Sequence, residues 1–130
     1  MSQIPLPEGA AIRGATADDV PVVLELIQAL ADYERLSHLV VADELALRET
    51  LFGGAKGPEV LIGELHGEPV GFALFFHNYS TFLARQGIWL EDLFVKPHAR
   101  GSGLGKALLL SVAQVAKQRN CGRFEWAVLD

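Results

Sequence analysis

The chain has 130 residues, half of them hydrophobic, with a formal net charge of −5 and a pI near 5.3. That length holds one buried core and not two, so a single domain over 1–130 is expected. The acidic balance repels phosphate backbones and anionic membrane surfaces, the single Cys121 cannot close an intrachain disulfide, and neither a leader nor an apolar run of about 18 residues is apparent. Nucleic acid and membrane are therefore not expected partners, and a cytoplasmic setting is expected.

In chain order, Met1 to Gly9 is rich in proline and reads as flexible, and Ala10 to Ala15 reads as a short strand. Thr16 followed by Asp19 resembles a capping box, and Val22, Val23, Leu26, Ile27 and Leu30 recur at helical spacing, which predicts a helix over Ala17 to Glu34. Pro21 is compatible only with the first turn, so Asp18 or Asp19 could equally be the cap. Asp43 can cap a second helix whose Leu45, Leu47, Leu51 and Phe52 are expected to face inward before Gly53 and Gly54 end it. Glu59 to Leu65 and Val70 to His77 are β-favouring runs joined by a tight turn, which predicts an antiparallel hairpin. Asn78 to Gln86 reads as a loop, Ile88 to Val95 as a strand that Pro97 ends, Gly103 to Arg119 as a helix, and Phe124 to Leu129 as the last strand. The order β, α, α, β, β, β, α, β predicts an α/β fold with a mixed sheet.

Between the strand ending at Val95 and the helix from Gly103 lies Arg100-Gly101-Ser102-Gly103-Leu104-Gly105-Lys106. Glycines let the backbone curl and present amide groups at a helix N-terminus, a site suited to a pyrophosphate. The dinucleotide pattern G-x-G-x-x-G fails because Lys106 occupies its last position, and the P-loop pattern fails because Arg100 stands where its first glycine belongs. A glycine-rich turn that only opens a helix would share the spacing. His38, His66, His77 and His98 are scattered, so no metal site is expected.

Arg100 to Lys106, preceded by Leu90-Glu91-Asp92-Leu93-Phe94-Val95-Lys96-Pro97, resembles the coenzyme A loop and central strand of GNAT N-acetyltransferases. The similarity is strongest to the spermidine/spermine branch, which includes diamine and thialysine enzymes. The resemblance implies an acyl-CoA N-acyltransferase fold with acetyl-CoA as co-substrate. Its central strand would be bulged and splayed, with Leu93, Phe94 and Val95 along the pantetheine arm and Arg100, Gly101, Ser102, Gly103, Leu104, Gly105 and Lys106 around the pyrophosphate. It implies a small cationic amine as acceptor and Glu91 as a water-relayed base, with Asp92 expected on the opposite side of the strand. Tyr33 and Glu34, in Leu30-Ala31-Asp32-Tyr33-Glu34, resemble the pair that lines the amine pocket, and Glu125, Trp126 and Ala127 match its far wall. Read without the family, Glu91 is an edge carboxylate, Tyr33 a packing residue, Glu34 a solvated helix end, and Trp126 an ordinary sheet residue.

Family chains continue beyond the position of Asp130 with a further helix and hairpin, and that helix brings the tyrosine that protonates the departing thiolate. The expectation is thus a GNAT domain lacking those elements, poorly active alone or completed by a partner, with a homodimer as the expected assembly. A non-catalytic acyl-CoA-binding module, or an enzyme with another amine acceptor, are the alternatives.

Overall fold

The computed structural model describes residues 4–54 and 56–127. Its elements are β1 (Ala10–Gly14), α1 (Val20–Tyr33), α2 (Glu44–Phe52), β2 (Glu59–Leu65), β3 (Glu68–Ser80), β4 (Arg85–Val95), α3 (Leu104–Gln118) and β5 (Phe124–Trp126), in the order the sequence predicts. The five strands form one mixed sheet in sequential order. Neighbours are antiparallel from β1 through β4, and β5 runs parallel to β4 after the α3 crossover.

Both faces of the sheet are covered. Leu104, Leu108, Val112 and Ala116 of α3 pack on one face against Val70, Ala73, Phe75, Ile88, Leu90 and Val95. On the other, Val20, Val23 and Leu26 of α1 and Leu47 of α2 pack against Val60, Ile62, Phe72 and Phe94. Phe72 and Phe75, fully buried on opposite faces of β3, couple the two cores. Truncating either to alanine costs about 3–5 kcal/mol.

The start of α1 combines both expected caps. A 3-10 turn over Ala17–Asp19 carries the Thr16–Asp19 capping box, and Asp19 is then the N-cap of α1 with Pro21 in its first turn. The Asp19 carboxylate also accepts two hydrogen bonds from the Arg13 guanidinium, at 2.7 and 2.9 Å, which fastens β1 to α1. Asp43 caps α2 by accepting from the Ala46 amide at 2.8 Å.

Three expectations need correction. The loop read over 78–86 is instead hairpin: β3 and β4 stay paired through Ser80↔Arg85, leaving only residues 81–84 as the turn. Gly87 permits this close pairing, since a Cβ there would lie 2.5 Å from Asn78 Oδ1. Leu45 is exposed rather than inward, because it lies about half a turn away from the Leu47–Leu51 stripe that meets the core. The last strand ends at Trp126, and the remainder of its expected range, 128–129, lies outside the described residues.

Candidate active site

The site begins with a fault in the β3–β4 ladder. Leu74 pairs with Asp92 and Phe75 pairs with Leu90, so Glu91 is an extra residue, a β-bulge in β4. The bulge inverts the strand's alternation. Ile88 and Leu90 belong to the α3-side core before it, whereas Phe94 belongs to the α1-side core after it. Glu91 and Asp92 consequently line the same cavity, which corrects the expectation that they face opposite sides.

Beyond the bulge β4 has no β5 partner among the described residues. Among the described residues β5 pairs with β4 only at Ile88, Trp89 and Leu90, so the two strands part and a cavity of about 480 Å³ opens at the fork. Leu30 of α1 with Glu34 at its C-cap, Trp89 and Leu90 of β4, Leu109 of α3, and Trp126 with Ala127 at the β5 end complete its walls. It therefore reaches through the sheet, from the α1 layer to the α3 layer.

Electrostatics separate the carboxylates at this fork. Glu91 is exposed, and its Oε1 accepts the Trp89 indole N–H at 3.0 Å. Asp92 is half-buried; burial, then Glu91, then Glu34 push its pKa from 3.8 up to about 6. Those neighbours are like charges, and each disfavours a second anion.

From the fork a track follows β4 to the glycine loop. Leu93 borders both the cavity and the next hollow, and Val95, Arg100 and Gly105 border that hollow and the one inside the loop. Gly101 and Gly103 take φ of +83° and +90°, values that favour glycine, and a Cβ on Gly101 would project into open space. The bare backbone thus curls beneath a hollow of about 320 Å³ at the N-terminus of α3, where unpaired amides and the helix dipole favour an anion. Ser102 Oγ accepts from the Leu104 amide at 3.3 Å, and Leu104 is fully buried, so the loop is fixed from below. Exposed Lys106 adds positive charge at the rim. These residues fit the pyrophosphate of coenzyme A, and the edge of β4 at Leu93 to Val95, which has no β5 partner among the described residues, fits an amide-bearing arm.

The residues singled out from sequence divide into two groups. Glu34, Glu91, Asp92, Leu93, Trp126 and Ala127 meet at the fork, while Arg100 and Gly101 to Lys106 meet at the loop. Phe94, with its side chain in the α1-side core, and Val95 border the track between them. Tyr33 lies outside the cavity lining; its ring stacks under the Arg100 guanidinium at 4.0 Å and beside Phe94 at 6.2 Å. Arg100 Nε meanwhile donates to the Val95 carbonyl at 2.9 Å, so its head is held between strand and helix. Glu125 also lies outside the cavity lining, and accepts from Asn78 Nδ2 at 3.4 Å with Arg123 at 3.7 Å. Sequence reasoning missed Leu30, Trp89, Leu90 and Leu109. Their signals were present: Trp89 precedes Glu91 by two strand positions, and Leu30 precedes Glu34 by one helical turn.

Comparison with known proteins decides the family. The acetyltransferase (GNAT) family model matches residues 24–130. The chain belongs to the GNAT acetyltransferase family. This GNAT chain is 41% identical over 127 residues to a thialysine N-epsilon-acetyltransferase of Bos taurus, covering 92% of this chain and 74% of the relative. It is 34% identical over 164 residues to an L-ornithine N5-acetyltransferase of Arabidopsis thaliana, covering 92% and 72%. Among solved structures, an aminoglycoside acetyltransferase from an uncultured soil metagenomic sample superposes with a TM-score of 0.82 at 16% identity, over 94% of this chain and 79% of that one, which establishes the shared fold. The GNAT resemblance near the diamine and thialysine branch is borne out, and with it an N-acetyltransferase enzyme of a family that uses acetyl-CoA as co-substrate. No helix among the described residues is long and apolar enough to cross a membrane.

Proposed function

We propose that this enzyme moves the acetyl group of acetyl-CoA to a primary amine of a small cationic acceptor: a polyamine, a diamine or a lysine-like amine. The lining of the fork carries the reading. Glu34, Glu91 and Asp92 present three carboxylates beside the indoles of Trp89 and Trp126, and among the described residues no Lys, Arg or His lines the cavity. Carboxylates and indole faces both attract ammonium groups. The named substrates of the two relatives, thialysine and ornithine, each carry a side-chain primary amine, which supports the same acceptor class.

The chain's residues divide the work by position. Gly101 to Lys106 hold the pyrophosphate, and the β4 edge at Leu93 to Val95 aligns the pantetheine arm toward the fork. Acetyl-CoA, when bound, supplies an acyl thioester. An alkyl ammonium has a pKa of about 10.4, so freeing its lone pair at pH 7 costs about 4.6 kcal/mol. A carboxylate of the fork, reached directly or through one water, takes that proton.

Thiol release from acetyl-CoA, followed with thialysine, ornithine, lysine, spermidine and an aminoglycoside, tests the proposal. Highest kcat/KM for one of the small linear amines is the expected result. Coenzyme binding without turnover of any amine would replace the enzyme by a non-catalytic acyl-CoA-binding module. Preference for the aminoglycoside would keep the chemistry and change the acceptor.

A further inference from the structure

We propose that a hollow at the start of β2, which shares no lining residue with the fork or the glycine loop, binds a small oxyanion: a carboxylate or phosphate carried on an apolar body. Strand lengths create the space. β2 begins only at Glu59, opposite Phe75 of β3, so β3 from Phe76 to Ser80 has no β2 partner among the described residues. A hollow of about 890 Å³ is left beside it. His77 of β3, Gln86 of β4 and Arg119, the C-cap of α3, supply its polar surface, and Leu51, Phe52 and Pro58 its apolar surface.

Arg119 is the group an anion would meet. Its Nη1 and Nη2 donate to the Glu59 carboxylate at 2.6 and 2.8 Å, and Nη1 also donates to His77 Nε2 at 3.2 Å. A guanidinium has five N–H donors, and these bonds use three. The remaining two, on Nε and Nη2, lie along the second planar edge of the group and have no partner among the described residues. Two parallel N–H groups match two oxygens of a carboxylate or phosphate. Glu59 and His77 hold the guanidinium in place beforehand, which lowers the entropy lost when that edge is used.

The local charge points the same way. Hydrogen bonds from Arg119, opposed by burial, hold the Glu59 carboxyl below its usual range, with further pull from Arg119, His77 and Lys56. Lys56 is exposed at the rim and has no hydrogen-bond or ion-pair partner among the described residues. Two permanent cations, Lys56 and Arg119, thus face one carboxylate here, the reverse of the acidic fork. The last carbonyls of α2 and α3 offset part of this charge, so it is the free edge of Arg119 that sets where the anion sits. Leu51, Phe52 and Pro58 are each partly buried and offer an aliphatic or aromatic body a surface to cover.

Amide shifts of the folded chain test the proposal, followed by NMR at constant ionic strength as phenylacetate, phenyl phosphate, inorganic phosphate or neutral phenylacetamide is added. Saturable shifts at Lys56, Gly57, Glu59, His77 and Gln86 with the phenyl-bearing anions, and none with phenylacetamide, are the expected result. Either head group satisfies the proposal, and the tighter one names it. Inorganic phosphate, which lacks the apolar body, should bind about fivefold or more weakly. Arg119→Lys keeps the charge but loses the planar edge, and should weaken binding about tenfold. Lys56→Gln leaves the Glu59–Arg119 pair intact and should weaken it about two- to fivefold. Glu59→Gln keeps an acceptor for Arg119 while removing the competing charge, so binding should tighten about two- to fivefold, a gain that poor folding cannot imitate. Shifts confined to Gly101 through Lys106, an equal response to phenylacetamide, or an affinity that all three substitutions leave unchanged would overturn the proposal.

Discussion

Asp19 and Asp92 are chemically identical side chains placed in opposite circumstances. Asp19 sits where β1 meets α1, receives two hydrogen bonds from Arg13 and others from Thr16, and its pKa falls from 3.8 to about 2. Asp92 sits at the fork beside two other acids, with no cationic partner among the described residues, and its pKa rises to about 6. A carboxylate given a partner becomes structure, whereas one denied a partner becomes a reservoir for a proton. The fold contributes stability at the first and spends some of it at the second.

Removing Asp19 should break that contrast most visibly. Asp19→Ala deletes the cap and leaves Arg13 without its best partner, and urea unfolding at pH 7 should show a loss of about 2–3 kcal/mol. Because this carboxyl is depressed in the fold, its contribution is complete above about pH 4 and disappears as pH falls through about 2. Wild type and variant should converge there.

Asp92→Asn should move stability the other way. A raised carboxyl opposes folding when ionised, so the cost is absent below about pH 4 and complete above about pH 6. Thermal melts should find the variant more stable at pH 7.5 by about 1 kcal/mol, after allowance for solvent screening of a partly exposed group, with no difference near pH 4. Equal melting at both values would remove the claim that this charge is held against its environment.

Glu34→Gln sharpens the comparison. It deletes one of the like charges on Asp92, so the Asp92 carboxyl should titrate at lower pH when followed by NMR, with the acceptor KM raised as well. Tyr33→Leu should have the smallest effect. It removes the ring beneath Arg100, a contact worth about 0.5–1 kcal/mol, and should weaken acetyl-CoA binding about two- to fivefold by calorimetry. An acceptor KM that changes with no change in coenzyme affinity would return Tyr33 to the amine pocket.

Much of the fold was legible because its signals are local. The apolar spacing of α1 and α3, the cap at Asp43 and the break at Pro97 each depend on residues within a few positions of one another. The hairpin over β3 and β4 was read too short because Asn78, Ser80 and Gln86 carry little β preference; their pairing is secured by the opposite strand and by Gly87. Leu45 was assigned inward by composition, although its helical angle turns it outward. At the site, the loop residues fell where expected, whereas Tyr33 and Glu125 fell outside the fork lining because Arg100 and Asn78 lie within their reach.

The sequence by itself determined the family, the order of elements and the pyrophosphate loop, since each is written in contiguous residues with fixed spacing. Only the tertiary structure decided that Glu91 and Asp92 share one face. A bulge is a property of two paired strands, and the register shift between Leu74 and Phe75 that places it has no counterpart in the local pattern of β4. The burial and like charges that set Asp92 apart arise only when α1 and β5 close around that fork.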